Sequence, residues 1–108
     1  MKIGQECMVG EFSSISDRSS IKKSVIGNHV KIGSNCKIIN SVIMDYCVIE
    51  DNVKLDNCVL SHSVKVSSRS ELKECEVGAK YVVLPESNME LTLAHSKGEQ
   101  LYFHELEI

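Results

Sequence analysis

The stretch that decides the fold is 24–40: Ser24-Val25-Ile26-Gly27-Asn28-His29-Val30-Lys31-Ile32-Gly33-Ser34-Asn35-Cys36-Lys37-Ile38-Ile39-Asn40. Aliphatic residues stand six apart at Ile26, Ile32 and Ile38. Two residues before each stands a smaller one: Ser24, Val30 and Cys36. The next block, 41–57, repeats the arrangement with Ile43, Ile49 and Leu55 behind Ser41, Cys47 and Val53. Side chains two apart on a strand point to the same side. Each unit is therefore a short strand that turns one large and one small residue inward. The spacing lacks the three-four alternation of an amphipathic helix.

The register extends in both directions. Val9, Ile15 and Ile21 precede it; Leu60, Val66, Leu72, Val77, Val83 and Met89 follow. The steps run six, six, five and repeat, so the period is seventeen residues. The small slot continues through Cys7, Ser13, Ser19, Cys58, Val64, Ser70, Cys75, Tyr81 and Ser87, with only Tyr81 large. Three strands and three corners close a triangular coil, and coils stack at about 4.8 Å. The pattern predicts an all-β parallel β-helix of about five coils over residues 1–90. Gly10, Gly27, Gly33, Gly78, Asn28, Asn35, Asn40, Asn52 and Asn57 are expected at the corners, where unusual backbone angles or local side-chain bonds are needed.

Composition agrees. The chain has 108 residues, room for one small domain. Aromatics are 5% and tryptophan is absent. The core must therefore be aliphatic, and a solenoid supplies the regular stacking that such a core needs. A net charge of −3 excludes a strongly basic nucleic-acid binder. No apolar run reaches the roughly 20 residues of a membrane span, and no secretory signal opens the chain. A cytoplasmic setting is expected.

The period breaks after 90. The tail, 91–108, carries Leu93, Leu101, Tyr102, Phe103, Leu106 and Ile108. It is expected to cap the open end of the solenoid, with docking on a partner as the alternative. Solenoids need capped ends. The start at Met1 shows no capping segment, so an N-terminal neighbouring domain is expected to be missing from this fragment.

All five cysteines, Cys7, Cys36, Cys47, Cys58 and Cys75, fall in the small inward slot. Free cysteine is a small, readily buried residue, so they are expected as core filler rather than disulfides or metal ligands. Their odd number fits a reducing compartment. His29 and His62 fall at corners and do not share a column, as an expected surface role requires. No nucleophile with a positioned base can be argued from the spacing. No catalytic, cofactor-binding or metal-binding residue is expected.

The three faces of the prism are unequal. The face of Ile21, Ile38, Leu55 and Leu72 is mostly charged outside, and that of Ile15, Ile32, Ile49 and Val66 is mixed. The face of Val9, Ile26, Ile43 and Leu60 presents Met8, Val25, Val42 and Val59, with Met44 beside them. A flat apolar ladder is a packing surface. Met8, Val25, Val42, Met44 and Val59 are therefore the candidate partner interface.

The units Ile26-Gly27-Asn28-His29-Val30-Lys31 and Ile32-Gly33-Ser34-Asn35-Cys36-Lys37 resemble the hexapeptide repeat of left-handed parallel β-helices. The hand rests on that resemblance, since the general crossover rule gives the opposite one. The corners Lys23-Ser24-Val25-Ile26, Asn40-Ser41-Val42-Ile43 and Asn57-Cys58-Val59-Leu60 resemble those of the C-terminal β-helix in sugar-nucleotide pyrophosphorylase-like proteins. Within that group, Ser20-Ile21-Lys22-Lys23-Ser24-Val25-Ile26-Gly27 looks most like the gamma subunits of eukaryotic translation initiation factor 2B. So do Gly98-Glu99-Gln100-Leu101 and the close at Glu105-Leu106-Glu107-Ile108. The resemblance implies a scaffold domain whose pyrophosphorylase-like N-terminal domain lies outside this chain. Its partners would be the epsilon and other factor 2B subunits and initiation factor 2, with no nucleic acid and no membrane. The alternatives are the β-helix of a sugar-nucleotide pyrophosphorylase and, less favoured, a hexapeptide-repeat acyltransferase.

Overall fold

The structure, a computed structural model, describes residues 2–3, 7–90, 92–97 and 100–105, with side chains described over 7–90. After β1 (Lys2–Ile3), the chain makes five turns of three strands. The first is β2 (Met8–Val9), β3 (Ser14–Ile15) and β4 (Ser20–Lys22); the second β5 (Val25–Ile26), β6 (Lys31–Ile32) and β7 (Lys37–Ile39). The third is β8 (Val42–Ile43), β9 (Val48–Ile49) and β10 (Lys54–Asp56); the fourth β11 (Val59–Leu60), β12 (Lys65–Val66) and β13 (Glu71–Lys73). The fifth is β14 (Glu76–Val77), β15 (Val82–Val83) and β16 (Asn88–Glu90). Then come β17 (Thr92–Lys97) and β18 (Gln100–Glu105).

Equivalent strands of successive turns pair in parallel and build three sheets, one per face of the prism. The register is the predicted seventeen: Ile26 pairs with Ile43, Ile32 with Ile49, and Leu55 with Ile38 and Leu72. The expected parallel β-helix of about five coils is the fold. The inward aliphatics from Ile21 through Met89 are buried, together with Val30, Val53, Val64, Tyr81 and four of the cysteines.

The small slot does more than fill space. Ser19 Oγ donates to the Gly33 carbonyl at 2.6 Å and accepts from the Cys36 N–H at 3.1 Å. Ser13 likewise donates to Gly27 O and accepts from Val30 N–H. Ser41 donates to Ile39 O and accepts from Cys58 N–H. Where the chain turns, the strand ladder stops, and a buried unbonded N–H or C=O is costly. A hydroxyl at the slot closes both gaps. A thiol closes the carbonyl: Cys36 reaches Glu50 O at 3.1 Å and Cys47 reaches Ser61 O at 3.0 Å.

The corners bear out Asn35, Asn40, Asn52 and Asn57 and correct the expectation for Gly10, Gly27 and Gly33. Left-handed φ values belong to non-glycine residues, among them Phe12 (60°), Arg18 (62°), His29 (57°), Asn35 (59°), Asn40 (49°), Tyr46 (64°) and Asn52 (61°). That conformation turns the N–H along the solenoid axis, so His29 N–H meets Glu11 O and Tyr46 N–H meets Asn28 O in the coil below. Gly27 serves a different purpose. A Cβ there would lie 2.9 Å from the Asp45 backbone nitrogen and collide with the Asp45 carboxylate. Only a bare backbone lets Asp45 Oδ1 reach in to the Asn28 N–H at 2.8 Å. Gly10 makes the same room for Asn28, and Gly33 for Asp51.

A second correction concerns the first coil. Val9, expected in the core, is 37% exposed, and Cys7 and Ile15 are only half-buried. Among the described residues, no strand lies beneath β2 or β3 to cover these inward residues from below. At the other end, the backbone of β17 pairs in parallel with β14, and β18 pairs antiparallel with β17. This hairpin prolongs the β14 sheet to seven strands.

Candidate interaction face

The sheet prolonged by the hairpin is also the one with the apolar ladder. Its register sets Met8 opposite Val25, Val25 opposite Val42, Val42 opposite Val59, and Val59 opposite Glu76. Met8 is 70% exposed; Val25 and Val42 are exposed and Val59 half-buried. Met44, half-buried, stands in the neighbouring column. All five candidate interface residues thus lie on one face. The glycines beside them keep that face low, although they are fixed by the corner staples above.

The other faces are wetter. Lys65 pairs with Glu50 at 3.7 Å and Arg69 with Glu86 at 3.1 Å. A shallow groove of about 320 Å³ runs between Lys37, Lys54 and Glu71 on one side and Ile39, Asp56 and Lys73 on the other. Its floor is the strand backbone at Leu55 and Leu72, and its rims carry both signs of charge.

Sequence reasoning missed one feature. Phe12, His29 and Tyr46 occupy the same corner of three successive coils, and their rings stack. Phe12 and His29 lie 5.1 Å apart at 15°; His29 and Tyr46 lie 5.0 Å apart at 2°. Phe12 is 78% exposed and Tyr46 60%. The signal was available, since the three are spaced by seventeen. It was hidden because corner positions elsewhere hold such different residues as Arg18, Asn35 and Lys23. His29 sits at the exposed corner predicted for it, and His62 is exposed on a different column.

The thiols are poorly placed for chemistry. Burial pushes the Cys36 and Cys47 thiols up. The adjoining Cys75 thiol, with burial added, holds the Cys58 thiol far above the ordinary range. The thiolate is the nucleophile and the metal ligand, so Cys36, Cys47 and Cys58 favour the inert form. Among the described residues, no three His, Cys, Asp or Glu side chains converge on a point that could hold a metal ion.

Comparison with known proteins adds the following. The family model described as EIF2B subunit epsilon LbH domain matches residues 1–90. LbH denotes the left-handed β-helix, the hand expected from the hexapeptide units. No curated protein sequence matches the chain. Among solved structures, a perosamine N-acetyltransferase from Caulobacter crescentus, crystallised with CoA and GDP-perosamine, is 17% identical with a TM-score of 0.45. The alignment covers 94% of this chain and 52% of that one. A hexapeptide transferase family protein from Anaplasma phagocytophilum is 20% identical with a TM-score of 0.47, covering 93% and 55%. The chain thus spans about half the length of these structures.

Proposed function

The chain belongs to the EIF2B subunit epsilon LbH domain family, and from that premise we propose that it is a non-catalytic assembly module of initiation factor 2B. That complex promotes exchange of GDP for GTP on translation initiation factor 2 in the cytoplasm. Within it we assign the chain to the gamma position, on the resemblance of Ser20–Gly27 and of the segments at 98–101 and 105–108. Epsilon is then its first partner. The observation that carries the reading is the family match over 1–90. The inequality of the faces supports it: one is an apolar ladder, the others are charged or mixed. Assembly of subunits needs a desolvated patch of this kind rather than a cleft.

The test is direct binding of the purified chain to purified epsilon and gamma subunits of initiation factor 2B. Binding to epsilon is expected, with loss on introducing Val42→Lys and Val59→Lys together. Binding to gamma alone would move the chain to the epsilon position. Binding to neither would refute the assembly reading.

A further inference from the structure

We propose that the chain pairs with a second copy of itself through the outer edge of β18, the two strands running antiparallel about a two-fold axis at Tyr102. The proposal does not rest on the family reading.

The backbone leads there. β18 ends the seven-stranded sheet, and among the described residues it has a neighbour on one side only, β17. The outer edge of such a strand presents a row of N–H and C=O groups and is a template for another strand. The other strands that end a sheet, β1, β2, β3, β15 and β16, are two or three residues long. Edges that short invite little pairing. β18 is six residues long, and Gln100–Glu105 holds neither the lysine nor the proline that commonly guards an edge.

Length selects the occupant. A strand of two or three residues leaves half or more of the β18 edge unmet. Among the described strands only β17 is as long, and it is already flanked by β14 and β18. A second β18 is the strand that matches the edge. Register then narrows the pairing. Along an antiparallel strand, alternate residues turn their backbone groups to the same side. Two identical edges therefore match only where residues of equal parity stand opposite. One such register pairs residues 100–104 about Tyr102 and sets Gln100 opposite His104 and Leu101 opposite Phe103. The other pairs 101–105 about Phe103 and sets Leu101 opposite Glu105. The first matches apolar with apolar and polar with polar, and no like charges stand opposite; the second sets an apolar residue against a carboxylate.

The symmetry has a consequence for the face described above. The two-fold axis is perpendicular to the sheet, since only that axis lays identical edges side by side and antiparallel. It keeps the same face of both copies on the same side. The ladder of Met8, Val25, Val42 and Val59 belongs to the sheet that β18 ends. The pair therefore presents two ladders on one side.

Sedimentation equilibrium of the purified chain over a range of concentrations reads the association, and amide hydrogen exchange locates it. A concentration-dependent dimer is expected, with exchange at 100–104 slowing as it forms. Tyr102→Lys and Tyr102→Glu each place like charges opposite one another at the axis, and each is expected to weaken the dimer at least about fivefold. Mixing the two variants places opposite charges there and is expected to restore association. Position 102 lies outside the five coils, and thermal melts check that the coils persist in each variant. A parent chain that stays monomeric up to about 1 mM overturns the proposal, as does a dimer that both substitutions leave intact. A mixture that associates no more tightly than either variant alone overturns it too.

Discussion

The second to fifth coils and the first coil are built from the same repeat, yet they differ in what the repeat achieves. From Ile21, the last aliphatic of the first coil, to Val77, every inward aliphatic lies on a strand paired on both sides and is buried. In the first coil Val9 and Ile15 occupy the same slots and remain partly open. Burial in a solenoid is thus a property of neighbouring coils and not of the residue.

The sharpest way to test that difference is thiol labelling of the native chain. Cys36, Cys47, Cys58 and Cys75 are buried, and the first three have their thiol pKa raised by burial or by a neighbouring thiol, whereas Cys7 is half-exposed. Cys7 is expected to react at least about a thousandfold faster than the other four, which need opening of the coils to react. Mass-resolved labelling reads this, and comparable rates at all five would erase the distinction between the coils. Truncation of aliphatics comes next. Ile38→Ala is expected to lower stability by about 2–5 kcal/mol, and Val9→Ala by less than half as much. Urea unfolding of both variants settles it; equal losses would mean that the first coil is as well packed as the second.

A smaller effect separates filler from bond in the small slot. Ser41→Ala leaves Cys58 N–H without its acceptor in a buried place and is expected to cost about 1–3 kcal/mol. Ser13→Ala, in the half-open first coil, is expected to cost about 1 kcal/mol or less, because water can replace the hydroxyl. The smallest effect is on pH. The native thiol pKa values are raised, so the unfolded chain loses these protons first as the solution turns alkaline. The stabilisation they represent is complete below about pH 8.5, the unfolded value, and erodes above it. Melting temperature is expected to fall between pH 7.5 and 9.5, and Cys36→Ser to flatten that fall. An unchanged slope would mean that Cys36 titrates as freely in the fold as out of it.

The coil was readable from residues because its aliphatics recur at fixed steps whatever lies between them. Ile26, Ile43 and Leu60 announce a column on their own. The corners were less readable because a left-handed corner in this fold asks for an N–H pointed down the axis and tolerates Arg18, His29 or Tyr46 as well as Asn52. Gly27 was readable as important but not for the right cause, since the clash it avoids is with Asp45, a residue of the next coil. The ladder of Met8, Val25, Val42 and Val59 followed from alternation along short strands. The ring column did not, because a stack across coils leaves no mark on the chain between its members.

The hydroxyl bridges of the small slot carry a consequence for how such a chain can change in length. Each reaches a fixed distance ahead: Ser19 to Gly33 and Cys36, Ser13 to Gly27 and Val30, Ser41 to Cys58. Adding or losing one residue inside a coil shifts every donor above it off its acceptor at once. Adding or losing seventeen gives every donor an equivalent acceptor. Excising 41–57 would bring Cys58 N–H over Ser24 Oγ, which holds Ser41 N–H now. The molecule is therefore free to grow and shrink, but only by whole storeys.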